Sequence, residues 1–272
     1  MDIQTKAEEI LRFLKRCNCS DLIKDLICQT DGNNLVARFC TKERYMYGEV
    51  YAACGDVKEQ GTLSIPRIKQ LINVASRLDE GLIRIITKQT DEAPVYALTN
   101  GKATVNLLQI DDAGICESHD SIPEDKVMFD KDTLQFAGGA VEFKNGCEID
   151  YAMLNEIIKD ATAFSYDRYE FKVKKTKKGI QFVCSIVNEH TGEKFTRTVA
   201  ENGFIGNVEE IPSVTVGGGF KEIVKAIISN PEPIDEAKKE QPKVKMYFDK
   251  MAILITDGKT FFYNLNTYED KE

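Results

Sequence analysis

The stretch LTNGKATVNLL (Leu98–Leu108) recurs near the end of the chain as ITDGKTFFYNL (Ile255–Leu265). Both copies place an Asn-Gly or Asp-Gly pair between two apolar runs, which is the strongest short-range signal for a β-hairpin. A hairpin that occurs twice, at corresponding places in a long chain, indicates that the chain consists of two related halves.

Other stretches of the first half also recur in the second half, in the same order. Each half therefore predicts a helix, strands, a strand leading into a second helix, and further strands. We predict an α+β fold of two repeated domains, 1–109 and 140–272, each with two helices packed on antiparallel sheets. Residues 110–139 lack clean periodicity and are predicted to form a connector on the surface. The recurring stretches are Glu9–Arg12 with Glu156–Lys159, Asp31-Gly32 with Lys178-Gly179, and Thr62–Ile65 with Ser213–Val216.

Four segments carry apolar residues at positions i, i+3, i+4 and i+7, which predicts helices with one buried face. Burying a large apolar side chain contributes roughly 1.5–3 kcal/mol, so these faces are expected to pack on the strands. The four stripes are Ala7, Ile10, Leu11 and Leu14; Ile68, Leu71, Ile72 and Ala75; Leu154, Ile157, Ile158 and Ala161; and Phe220, Ile223, Val224 and Ile227.

The sides of these helices opposite the apolar stripes are rich in basic residues, although the whole chain has a net charge of −8. For any single helix, an ordinary solvated face explains such residues, and the third helix with Glu156 and Asp160 fits that interpretation well. Recurrence of the basic residues at one phase instead favours contact with the phosphate backbone of duplex DNA, without regard to base sequence. The candidate DNA-binding residues are Arg12, Arg16, Lys69, Arg77, Lys159, Lys221 and Lys225.

The composition bounds the class of protein and its compartment. No run of the 272 residues is long and apolar enough to span a membrane, and the N-terminal stretch is charged, so we expect an intracellular protein with no membrane partner. Depending on its origin, this would be the cytoplasm or nucleoid, a eukaryotic nucleus or a virus-infected host cell. The eight cysteines form no Cys-x-x-Cys pair, so we expect reduced, mostly buried thiols and no metal site.

Enzyme signatures are not found in the sequence. There is no Walker A loop, no His-Glu-x-x-His and no Gly-x-Ser-x-Gly, which predicts a protein that is not an enzyme and needs no cofactor. Gly217-Gly218-Gly219 precedes a helix but lacks the Lys-Ser/Thr of a nucleotide-binding loop. The lysine-rich stretch Lys172–Gly179 is either a solvated turn or, in an unrelated two-domain regulator, a nucleic-acid contact.

The chain resembles the sliding-clamp family typified by proliferating cell nuclear antigen. The resemblance covers nearly the whole chain and depends on the order and repetition of its elements more than on any invariant motif. It implies a homotrimeric ring of six domains that encircles duplex DNA, with the helices lining the hole. The stretches that carry it are GTLSIPRIKQLINVASRLDEGLIRI (61–85), SVTVGGGFKEIVKAI (213–227) and KVKMYFDKMAILITDGKTFFYNLN (243–266).

The resemblance also implies partners and a seam between subunits. It predicts a processivity factor that tethers DNA polymerase and clamp loader through short hydrophobic peptides, and a seam that pairs a strand near 104–108 with one near 195–199. A clamp-fold subunit acting in a checkpoint, in repair or in transcription is the alternative, and Tyr45 and Tyr47 could instead form one face of a half-buried strand. The residues matching the family's peptide pocket by position are Tyr45, Met46, Tyr47, Ile122, Pro123, Val127, Phe129, Pro231 and Leu265.

Overall fold

A computed structural model of the chain describes residues 1–78, 81–89, 94–109, 129–130, 133–136, 139–177, 179–188, 190–233 and 243–265. The chain divides into two compact units, Met1–Pro123 and Glu124–Glu272. The division falls inside the predicted connector 110–139, most of which lies outside the described residues. Among those residues no helix has the length and apolar character that a membrane span requires.

The first unit contains two helices and two antiparallel groups of strands. One group has the order β5-β1-β7-β8-β9 and the other the order β4-β3-β2-β6. A short 3-10 turn, Cys19–Asp21, follows the first helix. The elements are β1 (Asp2–Lys6), α1 (Ala7–Asn18), β2 (Leu26–Asp31), β3 (Asn34–Cys40), β4 (Met46–Ala53), β5 (Asp56–Glu59), β6 (Thr62–Ile65), α2 (Ile68–Ala75), β7 (Leu82–Gln89), β8 (Pro94–Thr99) and β9 (Thr104–Leu108).

The second unit begins with a small sheet, β10-β11-β12, and then repeats the arrangement of the first. Its two antiparallel groups have the orders β17-β13-β19-β20-β21 and β16-β15-β14-β18. The elements are β10 (Phe129–Asp130), β11 (Thr133–Phe136), β12 (Gly139–Glu142), β13 (Gly146–Ile149), α3 (Tyr151–Phe164), β14 (Arg168–Thr176), β15 (Gly179–Val187), β16 (Lys194–Ala200), β17 (Phe204–Ile205), β18 (Val214–Val216), α4 (Phe220–Ile228), β19 (Val244–Phe248), β20 (Ala252–Thr256) and β21 (Thr260–Leu265).

The predicted α+β repeat is confirmed, because every strand and helix of the first unit has a counterpart in the second. The two stretches that first indicated the repeat form the hairpins β8–β9 and β20–β21. Their turn glycines, Gly101 and Gly258, have φ angles of 84° and 93°, which residues with a side chain rarely adopt. Asn100 and Asp257 each accept two backbone N–H hydrogen bonds through the side-chain oxygen, at 2.9–3.0 and 3.0–3.2 Å, so both turns close in the same way.

The first helices of the two units align by burial, with a correction to the predicted register. Ala7–Lys15 and Tyr151–Lys159 have the same succession of buried, half-buried and exposed residues. The proposed equivalence of Glu9–Arg12 with Glu156–Lys159 was therefore wrong by three residues. Arg12 corresponds to Glu156, and Lys15 corresponds to Lys159.

The helices bury their predicted apolar faces against strands and against each other. In the first unit, Ile10 and Leu14 of α1 and Ile68 and Leu71 of α2 are buried, and α1 contacts both α2 and β4. In the second unit, Phe220 of α4 belongs to an aromatic core with ring centroids 4.5–6.0 Å apart. The other rings of this core are Tyr169, Phe171, Phe182 and Phe248.

The seven described cysteines are all reduced and buried, as the sequence predicts. Burial raises the pKa of the Cys54 thiol to about 11 and that of Cys147 to about 12, so both remain neutral at physiological pH. These thiols fill the core. The eighth cysteine, Cys116, lies outside the described residues.

Candidate functional site

The exposed side of α1 differs from the predicted one. Arg16 is only 1% exposed, so its placement on the solvent face was wrong. Arg12 is half-buried and donates to Glu9 at 2.5 Å. The exposed side carries Glu8 and Lys15 instead, about a quarter turn away, because α1 packs on β4 as well as on α2. Lys15 is the candidate phosphate contact that the simple helical template missed.

The corresponding face of α3 carries the predicted Lys159. Its side chain is 62% exposed and donates to Glu156 at 2.7 Å, within the same helix. Since Lys15 and Lys159 occupy equivalent positions, both units present a lysine from the exposed side of their first helix.

The second helices contribute a matching pair of lysines. Lys69 and Arg77 of the α2 region are exposed, as predicted, and so is Arg67, which the sequence analysis did not single out. In α4, Lys221 and Lys225 are half-buried. The two helices begin with Ile68 and Phe220, which makes Lys69 the counterpart of Lys221. The repeated elements therefore carry lysine twice at equivalent places, as Lys15 with Lys159 and as Lys69 with Lys221.

Two of these four lysines form exposed ion pairs. Lys69 donates to Asp21 at 2.7 Å, and both side chains are more than half exposed. Exposed pairs of this kind contribute about 0.2–1 kcal/mol, because water and salt screen them and both side chains lose freedom. A phosphate group approaching from solvent can therefore replace the carboxylate at small cost.

Tyr45 is the described member of the predicted peptide pocket that lies in a cavity. The cavity has a volume of about 640 Å³ and is bordered by the 3-10 turn after α1 and by the β3–β4 loop. Both borders have unusual backbone: Ser20 and Asp21 have φ angles of 57° and 75°, and Arg44 has 61°. Such conformations cost free energy and concentrate at binding sites. The described lining residues are Asp21, Leu22, Ile23, Lys24, Asp25, Cys40, Thr41, Lys42, Glu43 and Tyr45.

Other members of the predicted pocket are buried or outside the described residues. Met46 and Tyr47 are 0% and 1% exposed, so both belong to the core of β4 and the prediction that they line a pocket was wrong. Pro231 is exposed and Leu265, which ends β21, is half-buried; both lie in the second unit, whereas Tyr45 lies in the first. Ile122, Pro123, Val127 and the side chain of Phe129 lie outside the described part of the chain.

The lysine-rich stretch forms the tip of the β14–β15 hairpin. Lys172, Lys174 and Lys177 are exposed, and Lys175 donates to Glu209 at 2.7 Å. Across the described ranges, no group of three His, Cys, Asp or Glu side chains is arranged to hold a metal ion.

No protein-family model and no curated protein matches this amino-acid sequence. The fold, in contrast, is similar to solved structures. The PCNA of A. fulgidus, solved with the C-terminal region of FEN-1 bound, has a TM-score of 0.66 and 13% identity over 99% of each chain. The PCNA of Entamoeba histolytica has a TM-score of 0.66 and 12% identity over 98% of each chain. The β clamp of Helicobacter pylori, bound to a DNA ligase peptide, has a TM-score of 0.59 and 14% identity over 100% of this chain and 68% of its own.

These similarities agree with the arrangement of helices and sheets in both units. Since the identities are low, they establish the architecture and leave the activity of this chain to be argued from its own residues. The chain has the fold of sliding clamps over essentially its whole length.

Proposed function

We propose that this chain is a DNA sliding clamp, a processivity factor that forms a homotrimeric ring around duplex DNA. Three copies would supply six units, with the helices facing the hole. The ring would hold DNA by enclosing it and would catalyse no reaction. This role places it inside a cell, where replication takes place.

The observation that carries the proposal is the repetition of lysines on the exposed sides of the helices. Lys15 and Lys159 are equivalent, and so are Lys69 and Lys221. Nothing in the packing of either unit requires these four charges. A ring of six units would bring the same two lysines from each unit to one hole, where they contact phosphates without reading bases. Contacts of this kind are sequence-independent and weaken with salt.

The negative charge of the rest of the chain supports the same arrangement. The net charge is −8, although the helices are basic. An acidic exterior repels DNA from the outside of the ring, so the duplex is favoured only in the hole.

Short hydrophobic peptides of a DNA polymerase and of a clamp loader are the proposed protein partners. The similar clamps from A. fulgidus and H. pylori are bound to FEN-1 and DNA ligase segments. In this chain, the cavity beside Tyr45 is the described feature that suits such a peptide, with Leu22 and Ile23 for apolar contacts and charged residues at its border.

The test is topological. The chain is diluted to dissociate the ring, concentrated again with a nicked circular plasmid, and fixed with a bifunctional amine crosslinker. We expect protein to stay with the circle in high salt and to be lost when the circle is linearised, because an enclosed duplex releases the ring only at an end. Equal retention on circular and linear DNA, or loss from both, contradicts the proposal.

A further inference from the structure

An aromatic cluster lies on the outside of the second unit, beside strand β16. Phe164 ends helix α3, is 42% exposed, and stacks on Phe195 with ring centroids 5.0 Å apart. Tyr166 lies 5.9 Å from Phe164, and the guanidinium of Arg197 lies 5.9 Å from the Phe195 ring. β16 is the last strand of its group, so the cluster borders a sheet edge.

The fold does not require this cluster, because the first unit lacks it. Following the strand pairs from Ile65 in β6 and from Val216 in β18 makes Gly48 the counterpart of Phe195. Helix α3 has 14 residues and α1 has 12, so Phe164 belongs to a part of the helix that α1 does not have. Exposed aromatic surface that folding does not need indicates a contact with another molecule.

A groove of about 450 Å³ lies at an edge of the first unit, between the start of α2 and strand β9. Leu71, Tyr96 and Leu107 supply its apolar surface, and Leu108 at its border is 63% exposed. β9 is also the last strand of its sheet. Its counterpart β21 is buried from Thr260 to Asn264, whereas the residues of β9 are alternately exposed and half-buried, so β9 lacks the cover that β21 has.

We infer that the Phe164–Phe195 cluster of one copy of this chain packs into the β9–α2 groove of the next copy. Phe195 lies on the helix side of β16, and Leu107 shares the helix side of β9 with Tyr96, so pairing the two edge strands would bring these apolar surfaces together. The two surfaces are different, so the contact is head-to-tail and can close a ring. The inference rests on the proposed ring and specifies the side chains that hold it.

Charge supports a second copy as the occupant of the groove. Arg67 is the charged residue among the described groove residues, is exposed, and has no ion-pair partner in the described part of its own chain. The aromatic cluster is bordered by acidic groups: Asp167 is exposed next to Tyr166, and Glu193 accepts a hydrogen bond from the Tyr166 hydroxyl at 2.7 Å. Arg67 of one copy would therefore meet carboxylates at the edge of the seam.

The test compares single aspartate substitutions on native mass spectrometry. Leu108→Asp alters the groove and Phe164→Asp alters the cluster, and Met251→Asp is the matched control, because Met251 is also 63% exposed but lies in the β19–β20 turn. We expect Met251→Asp to form trimers like the original chain, and the other two variants to be monomers at concentrations at least tenfold higher. Circular dichroism checks that each variant is folded, and Phe164→Ser replaces Phe164→Asp if that variant is not.

A mixture of the two variants tests the head-to-tail arrangement. Leu108→Asp keeps an intact cluster and Phe164→Asp keeps an intact groove, so the mixture is expected to contain heterodimers joined by one original seam. Trimers of both variants would overturn the assignment of the seam but leave the ring in place. No heterodimer in the mixture, when the original chain is trimeric, would also overturn the assignment. An original chain that never forms trimers would contradict the proposed function itself.

Discussion

The two units of this chain share one framework but differ in the residues they place on it. The first helices have the same burial pattern over nine residues, yet Arg12 and Arg16 of α1 correspond to Glu156 and Asp160 of α3. Only Lys15 and Lys159 preserve their charge along the exposed face. The comparison shows that the fold tolerates either charge at most of these positions, so the lysines that do recur are the ones to associate with a common function.

The outer faces of the sheets show a second difference. In the first unit, Glu49 of β4 is buried and accepts from Arg38 and from the Tyr51 hydroxyl, each at 2.5 Å. The strand pairs make Ser185 and Thr196 the counterparts of Arg38 and Glu49, and these two hydroxyls lie 2.9 Å apart. The same position is therefore filled by a charged network in one unit and by two neutral hydroxyls in the other.

The largest expected effect comes from reversing the recurring lysines. A variant with Lys15, Lys69, Lys159 and Lys221 all changed to Glu should bind duplex DNA roughly a thousandfold more weakly at about 0.1 M salt, because each lost phosphate contact reduces the salt slope by about 0.9. Fluorescence anisotropy over a salt series measures both quantities.

Reversing the pairs separately sharpens the comparison between the units. Lys15→Glu with Lys69→Glu, and Lys159→Glu with Lys221→Glu, should change the slope by similar amounts if both units line the hole. The matched control reverses Lys172, Lys174 and Lys177 of the β14–β15 hairpin, which should change the slope little. A larger effect from the hairpin than from the helices would favour the lysine-rich hairpin as the nucleic-acid contact instead.

A smaller effect is expected from breaking the buried charged network. Arg38→Ala leaves the Glu49 carboxylate buried with its main cation removed, and we expect a loss of about 3–5 kcal/mol in the free energy of unfolding. The equivalent change in the second unit, Ser185→Ala, removes one neutral hydrogen bond and should cost about 1 kcal/mol. Urea denaturation followed by circular dichroism measures both. Equal losses would show that the two sites do not differ as described.

The smallest effect concerns the pH dependence of Tyr51. Burial, and then the hydrogen bond to Glu49, raise the pKa of its phenol from 10.0 to about 12. Because the folded-state pKa is raised, the stabilisation is fully present below pH 10 and is lost as the pH rises through about 12. The ultraviolet absorbance of ionised phenol, compared between the original chain and Tyr51→Phe, should show one group titrating near pH 12. A difference centred near pH 10 would contradict the buried network.

Much of the fold could be predicted from local patterns. The Asn-Gly and Asp-Gly turns give φ > 0 where a hairpin needs it, and the helical spacing of apolar residues located all four helices. The alignment of the two first helices could not be fixed this way, because Glu-Ile-Leu-Arg and Glu-Ile-Ile-Lys look alike although they are three residues apart in the repeat.

The candidate site was less predictable, because it depends on how many neighbours each element has. Arg16 seemed to lie opposite the apolar stripe, but α1 contacts a helix and a strand, which leaves only the side with Glu8 and Lys15 exposed. Met46 and Tyr47 looked like pocket residues, but β4 is buried on both faces from Met46 to Val50. Ile122, Pro123 and Val127 remain predictions, since they lie outside the described residues.

The central claim is that copies of this chain close into a ring, and the mass of the assembly formed by the chain alone measures this directly. Native mass spectrometry of the purified chain over a concentration series should show a species of three chains and no larger assemblies. A chain that stays monomeric at every concentration, or that forms an open series of growing oligomers, would contradict the account.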